Sequence, residues 1–311
     1  MKQFNLLDLF VSMYAALHNY RGLHYRVLSP FRGLMRVVSG CILPHYLARS
    51  TAVDASRQVD VIVSFTSFPA RIGEVWQVVE CMFRQTYLPK RIILWLSKEQ
   101  FPTADGVPAS LKEREGSLFE IRLVDGDIRS HKKYYYVSKE YPDSLVLLID
   151  DDLYYPTDMI EKLVNERASY PNSFVCRYAF KMLYSRDGNM LPYNYWREYN
   201  GASEGNAVFF GTGGGVLFKP SMLYKDLVDP DLFLKLTPLA DDVWLNAMVR
   251  LSKLNIRKIK CGLLLPVKSK GPKITLCSQN VGDGKNDEQI RSVIEYYIKA
   301  IGINPFALKR E

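Results

Sequence analysis

With 311 residues, 48% of them hydrophobic and 13% aromatic, the chain can bury a large core, which excludes a disordered or collagen-like protein. A formal net charge of +8 suits acidic partners such as nucleotide phosphates or an anionic membrane surface. Cys41, Cys81, Cys176, Cys261 and Cys277 are dispersed without a CxxC pair, which argues for a reducing compartment and against a disulfide scaffold or zinc site. No apolar run reaches the roughly 18 residues of a transmembrane helix, and the N-terminus lacks a signal-peptide layout. A cytoplasmic protein is expected.

Residues 1–58 read as a basic helical arm. Leu6, Leu7, Leu9, Phe10, Met13, Tyr14 and Leu17 recur at helical spacing. Arg21, Arg26, Arg32, Arg36 and Arg49 follow among apolar residues, with Asp8 the one acid of residues 1–50. That pattern suits a helix lying in a membrane interface or one packed on protein. Thr51 to Gln58 is polar and reads as a linker.

From Val59 the pattern becomes α/β. Val61 to Phe65 is a short buried strand. Ile72, Val75, Trp76, Val79 and Phe83 then mark one helix face, Pro89 ends the connection, and Arg91 to Leu96 is a second strand. Strand, helix and strand in about 40 residues make a βαβ unit, so these strands are expected to be parallel. Phe119 to Val124 is a third strand and Lys132 to Glu140 a helix. A fourth strand, Leu145 to Ile149, is apolar throughout and therefore buried on both faces. Thr157 opens another helix through Met159, Ile160, Leu163 and Val164.

The fourth strand runs directly into Asp150-Asp151-Asp152. A dry interior cannot hold unpaired carboxylates, so the three belong at the strand's carboxyl end, where open α/β sheets bind ligands. Their mutual repulsion is relieved by a divalent cation, and hard oxygen ligands suit Mg²⁺ or Mn²⁺. A solvated acidic turn is the bland alternative. Later, Val208 to Phe218 is an apolar run interrupted by Gly211, Gly213, Gly214 and Gly215, which lets a backbone or ligand approach closely. Neither a P-loop nor a G-x-G-x-x-G pattern is present. Asp241-Asp242 opens a helix through Met248 and Leu251, where acids can also act simply as caps. Ile256 to Val267 reads as a strand and exit, Ser278 to Asp287 as a polar loop, and Ile290 to Tyr297 as a closing helix.

Four features in this order carry a family resemblance. They are Phe65-Thr66-Ser67-Phe68-Pro69-Ala70-Arg71 after the first strand, Leu148-Ile149-Asp150-Asp151-Asp152, the Gly211 to Gly215 segment, and Ala240-Asp241-Asp242-Val243-Trp244-Leu245. Together they resemble a GT-A fold glycosyltransferase, family-2-like, of bacterial surface polysaccharide biosynthesis. Gln85 to Pro89 matches that family's Q-x-x-x-P link. The resemblance implies a Rossmann-like, mostly parallel sheet flanked by helices over residues 59–311, with a nucleotide-binding half (59–156) and an acceptor half (157–311). It implies a nucleotide-sugar donor, most commonly a UDP-sugar, and a glycan or lipid-linked acceptor at a membrane's inner face. Asp150 would face the nucleotide and share Mn²⁺ or Mg²⁺ with Asp152, and Asp151 would help either role. Asp242 would be the general base of an inverting transfer, with Asp241 as its neighbour.

Thr66, Phe68 and Arg71 fall at the nucleotide end of the first strand, and Lys133 is placed to meet the diphosphate. Arg71 and Lys133 read equally well as surface cations. Gly213 and Gly214 would line the sugar site, or serve tight packing. Trp196, Tyr193 and Tyr195 are candidates for stacking on a sugar. The chain departs from the pattern in lacking a late histidine ligand, since His18, His24, His45 and His131 all precede the acidic triplet. Asn286-Asp287 is the substitute the sequence offers. Two other classes compete. A haloacid-dehalogenase-like phosphatase also places aspartates after a strand, but Tyr154 stands where its D-x-D-x-[TV] pattern wants Thr or Val. A non-catalytic membrane-binding protein would use the basic charge alone. Nucleic acid is not expected, because no aromatic-interleaved basic motif is present.

Overall fold

The computed structural model describes residues 5–18, 26–49, 55–103, 106–199, 201–205, 207–268 and 284–308. Two N-terminal helices, α1 (Leu6–His18) and α2 (Ser29–Leu47), precede the sheet. The first half then runs β1 (Gln58–Thr66), α3 (Trp76–Phe83), β2 (Leu88–Ser97), β3 (Phe119–Val124), α4 (Lys132–Glu140) and β4 (Leu145–Leu148). After the short β5 (Leu153–Tyr154) come α5 (Met159–Ser169), β6 (Ser173–Cys176), β7 (Ala179–Lys181), β8 (Arg197–Glu198), β9 (Ser203–Glu204), β10 (Val208–Phe210) and β11 (Val216–Phe218). The chain closes with α6 (Pro230–Leu236), α7 (Asp241–Leu251), β12 (Asn255–Lys258), β13 (Leu265–Pro266) and α8 (Lys285–Ile301).

The central sheet has eight strands in the order β3-β2-β1-β4-β11-β6-β12-β9. β3, β2, β1 and β4 are parallel, as the βαβ spacing predicted. β11 runs antiparallel between β4 and β6, and β12 returns parallel to β6. This is a mixed α/β architecture with a mostly parallel sheet. β10, β7 and β8 make a separate antiparallel sheet, and β13 pairs with β5.

Alternation along the strands builds two cores. Val61, Val63, Phe65, Ile92, Leu94, Leu147 and Ile149 face one side, where α1, α2 and α3 cover them. Ile62, Ile93, Trp95, Val146 and Leu148 face the other, under α4, α7 and α8. Both faces of β4 are therefore dry, which is why its sequence is apolar throughout.

Several boundaries differ from the sequence expectations. Pro89 does not end the connection but lies within β2, opposite Val59, before β3 joins at Ile92, so its missing N–H falls where β2 is paired on one side only. α5 starts at Met159 rather than Thr157, because Thr157 is held by the Asp8 carboxylate through its N–H (2.8 Å) and hydroxyl (2.5 Å). The apolar run Val208 to Phe218 is two strands in different sheets, separated by a 3₁₀ turn at Thr212–Gly214. Asn286 and Asp287 sit in the first turn of α8, not in a loop; residues 278–283 lie outside the described residues.

The N-terminal arm has two faces. Leu7, Phe10, Val11 and Tyr14 of α1, with Leu43 and Leu47 of α2, join the first core. The outer side of α2 stays apolar yet exposed: Phe31 55%, Leu34 59%, Val37 54% and Ile42 41%. Among the described residues no helix is long and apolar enough to cross a membrane.

Candidate active site

The acidic triplet lies where β4 ends, at the centre of the sheet. Ile149 is still buried; the chain then turns, and the Asp150 N–H donates to the Tyr155 hydroxyl (2.8 Å). That hydroxyl in turn donates to the Gly213 carbonyl (2.6 Å), tying the triplet to the glycine segment. Asp151 is buried, accepting from the Ser67 hydroxyl (2.5 Å) and the Arg71 guanidinium (2.9 Å). The same guanidinium reaches Asp152 at 2.8 Å while lying over the Phe68 ring. Thr66 spends its hydroxyl on the Trp95 carbonyl (2.7 Å).

Lys133 joins the two acidic clusters. Its ammonium is 2.8 Å from Asp150 and 2.9 Å from Asp241. The start of α4, which carries it, is fixed by the Ser64 hydroxyl of β1 donating to the Lys133 carbonyl (2.5 Å). His131 anchors the other side of that turn, with Nε2 2.7 Å from the Thr237 carbonyl and Nδ1 2.7 Å from the Tyr134 hydroxyl. Burial pushes its pKa down to about 4, so the ring is neutral, donating through Nε2 and accepting at Nδ1. His131 is a structural histidine.

Asp241 and Asp242 do not cap α7; the cap position is Ala240 and no side chain bonds there. Both instead turn to Thr212, whose hydroxyl proton is shared between Asp241 (2.9 Å) and Asp242 (2.5 Å). The Thr212 N–H also donates to Asp242 (2.8 Å). Asn246, one turn along α7, holds the end of β10 by accepting from the Phe210 N–H (3.2 Å) and donating to the Phe210 carbonyl (2.8 Å).

The charges are unequal to one another. Five carboxylates, Asp150, Asp151, Asp152, Asp241 and Asp242, meet two paired cations, Arg71 and Lys133. Burial would raise Asp241, but the adjacent Lys133 ammonium, together with His131 and hydrogen bonding, outweighs it and holds the carboxyl down to about 2. Asp242 lacks that ion pair; burial, then the Asp241 charge, push it up to about 7. Burial and the Asp150 charge likewise push Asp152 up to about 7. Asp151 is raised by burial against the pull of Arg71. Burial would lower Lys133 and Arg71, and the facing carboxylates raise both instead. One acid of the α7 pair is thus fixed as an anion and the other poised to take or give a proton near neutrality.

Two cavities meet at this cluster. The larger, about 570 Å³, lies over Thr66, Phe68, Arg71, Lys133, the triplet and Asp241-Asp242. The smaller, about 260 Å³, lies over Gly211, Gly213 and Gly214 and is walled by Arg177, Tyr178, Glu198 and Lys258. Asp150 and Asp242 border both. The glycines are required by contact: a Cβ on Gly213 would stand 1.8 Å from Asp150 Oδ2, and one on Gly214 2.4 Å from Tyr178 Cβ.

All eleven of the catalytic, nucleotide-site and metal candidates converge here, but Gly213 and Gly214 border the smaller cavity. Trp196 is core, packed on Tyr193 and Phe209 with its indole N–H on the Leu191 carbonyl, and Tyr195 is exposed. Of those aromatics Tyr193 borders the larger cavity, as does Asn286; Asp287 is used to accept the Tyr193 N–H (2.8 Å). Sequence reasoning missed Ser67, Tyr155, Thr212, Asn246, Arg177 and Lys258. It also missed Arg129, exposed at the larger cavity with φ +54°. An arginine held at positive φ is a strain signal visible only in three dimensions.

Among the described residues no three His, Cys, Asp or Glu side chains form a ready-made metal group. Asp150 and Asp152, with side chains 39% and 33% exposed, remain the accessible hard-oxygen donors. Burial and then the Asp150 charge raise Asp152, and a divalent cation there would relieve the repulsion. The pair fits a cation whose remaining ligands are water and substrate oxygens.

No family model matches the chain, and no curated protein matches it. Solved structures similar to it include HddC from Yersinia pseudotuberculosis, 14% identical over 55% of this chain and 79% of that chain, with a TM-score of 0.34. The same protein complexed with GMP-PN is 13% identical over 52% and 77%, also at 0.34. Likeness at that level carries no inference about this chain.

Proposed function

We propose that the chain is a GT-A-type glycosyltransferase that moves a sugar from a nucleotide diphosphate-sugar to an acceptor hydroxyl with inversion, in surface polysaccharide synthesis. The observation that carries this reading is the pairing of Asp241 and Asp242 beside the β4 triplet, one carboxyl held at about 2 and the other at about 7. The larger cavity takes the donor. Phe68 and Thr66 border the base and ribose end, and Arg129 supplies a cation not used in an ion pair with the triplet. Asp150 and Asp152 would hold Mn²⁺ or Mg²⁺. When bound, that ion supplies positive charge to the departing diphosphate.

In the transfer, Asp242 accepts the proton of the acceptor hydroxyl as its oxygen forms the new bond to the anomeric carbon. The bond from that carbon to the donor phosphate breaks, and its electron pair leaves with the nucleoside diphosphate. Asp241, locked as an anion by Lys133, keeps Asp242 basic enough for the step. Thr212 fixes the orientation of both carboxyls. The test is release of nucleoside diphosphate from a panel of UDP-, GDP- and dTDP-sugars, in wild type and Asp242→Asn. One donor should be turned over by wild type and at least about 10³-fold more slowly by the variant; turnover of a phosphate monoester instead would favour the phosphatase reading.

The outer face of α2 supports a peripheral site of action. Phe31, Leu34, Val37, Cys41 and Ile42 are all exposed and fall within an arc of about 140° at 3.6 residues per turn. Residues 26–49 include Arg26, Arg32, Arg36 and Arg49 and no acid. An apolar face on a segment whose charged residues are all arginine suits an anionic lipid surface. Removing the arm is a poor test, since Leu7 and Tyr14 are core. Phe31→Ser with Leu34→Ser should abolish sedimentation with phosphatidylglycerol vesicles at low salt while nucleotide binding persists; undiminished sedimentation would refute the docking role.

A further inference from the structure

The smaller cavity contains two cations for which the reaction so far has no use. Arg177 is 6% exposed and Lys258 3% exposed, and both border the cavity. Among the described residues neither forms an ion pair. Lys258 donates to the carbonyls of Gly201 (2.9 Å) and Ile259 (3.0 Å), which leaves the third of its N–H bonds. Among the described residues the Arg177 guanidinium makes one hydrogen bond, to the Gly262 carbonyl (3.3 Å). Glu198 shares the wall, but its carboxylate accepts from the Tyr178 hydroxyl (2.5 Å) and pairs with neither cation. Burying a charge without a counter-charge is costly. Lys132 and Lys133, by comparison, are as deeply buried and each meets a carboxylate.

The two cations also repel one another. Burial lowers the Lys258 pKa, and Arg177 lowers it further. Asp150, Asp242 and Glu198 border the same space, but two buried like charges facing it can seat an anion between them. The space borders Asp242, the proposed base, but not Arg71 or Thr66, which line the donor cavity alone.

We propose that the smaller cavity is the acceptor site and that the acceptor carries an oxyanion, a phosphate or carboxylate group, bound between Arg177 and Lys258. This rests on the glycosyltransferase reading. The anion is bound and not transformed; it places the neighbouring hydroxyl against Asp242. α1 closes one wall through His18, and Gly262 packs so closely on Ala15 that a Cβ there would lie 2.4 Å from that residue's Cβ. The cavity is therefore built jointly by the arm and the second half of the chain.

The test measures binding of glucose 1-phosphate, glucuronate and neutral methyl glucoside by calorimetry, with and without saturating UDP. Either anion is expected to bind at least tenfold more tightly than methyl glucoside, and to keep binding when UDP is saturating. Preference for glucose 1-phosphate identifies a phosphate, as on a lipid-linked glycan; preference for glucuronate identifies an acidic sugar. Arg177→Lys and Lys258→Met should each weaken the anion at least tenfold and leave UDP binding unchanged. Should the variants fold poorly, the wild-type competition with UDP decides. Displacement of the anion by UDP, loss of UDP binding in the variants, or equal binding of methyl glucoside would overturn the proposal. Failure of wild type to bind any nucleoside diphosphate would instead strike the underlying function.

Discussion

Replacing Asp242 with asparagine should make the protein more stable at alkaline pH while stopping its reaction. Asp242 is pushed up to about 7 from an ordinary 3.8, so the native state holds its proton more tightly than the unfolded chain. Its favourable contribution is fully present below about pH 4 and is lost as pH rises through 7. Above that, the native site must carry an anion beside Asp241. The difference corresponds to a ceiling of about 4 kcal/mol, and relaxation of the pair leaves about 2 to 4. Asparagine is isosteric and still accepts the Thr212 N–H, but it carries no charge. Thermal unfolding of wild type and Asp242→Asn at pH 4 and pH 8 measures this. The midpoints should nearly coincide at pH 4, and the variant should lead by several degrees at pH 8. A variant equally or less stable at both pH values would refute the account of Asp242 as a strained, proton-holding carboxyl. A gain of stability with loss of turnover is expected where a site is built for chemistry and not for rigidity.

Three further outcomes follow from the same geometry. Lys133→Met should cost about 3 kcal/mol at pH 7, because Asp241, held at about 2, alone represents roughly 2 kcal/mol and Asp150 loses its partner too; the deficit should shrink below pH 4, measured by urea unfolding across pH, because wild type loses that contribution as pH falls through 2. Gly213→Ala should force Asp150 away from Lys133, given the 1.8 Å approach of a Cβ, and weaken nucleotide binding at least tenfold by calorimetry with a stability loss of about 1 to 3 kcal/mol; unchanged binding would mean Asp150 is not a donor-site ligand. The pH profile of kcat/KM should rise with a midpoint near pH 7 as Asp242 loses its proton and level off above that, and a profile flat from about pH 5 to 9 would contradict its role as base.

Much of the framework was legible because local pattern and tertiary role coincide. β3 and α4 fall where periodicity placed them, at Phe119–Val124 and Lys132–Glu140. β4 was readable because both its faces are dry, and the triplet because charge cannot follow such a strand indoors. What pattern could not show is partnership across the sheet. Lys133 looks in sequence like any basic residue at a helix start, and nothing local says that it bridges Asp150 and Asp241. Asp241 and Asp242 look like caps until Thr212 is seen between them. The second cavity was invisible because Arg177, Lys258 and His18 come from three separate segments. Pro89 misled because a proline is tolerated in a strand wherever one neighbour is absent, and that depends on where β3 joins.

Calorimetric binding of UDP, GDP, dTDP and CMP, with and without Mn²⁺, to wild type and Asp152→Ala tests the central claim most directly. Cation-dependent binding of one nucleoside diphosphate, lost in Asp152→Ala, is the predicted result. Binding of none of the four by wild type would contradict the assignment of the larger cavity as a nucleotide-sugar site.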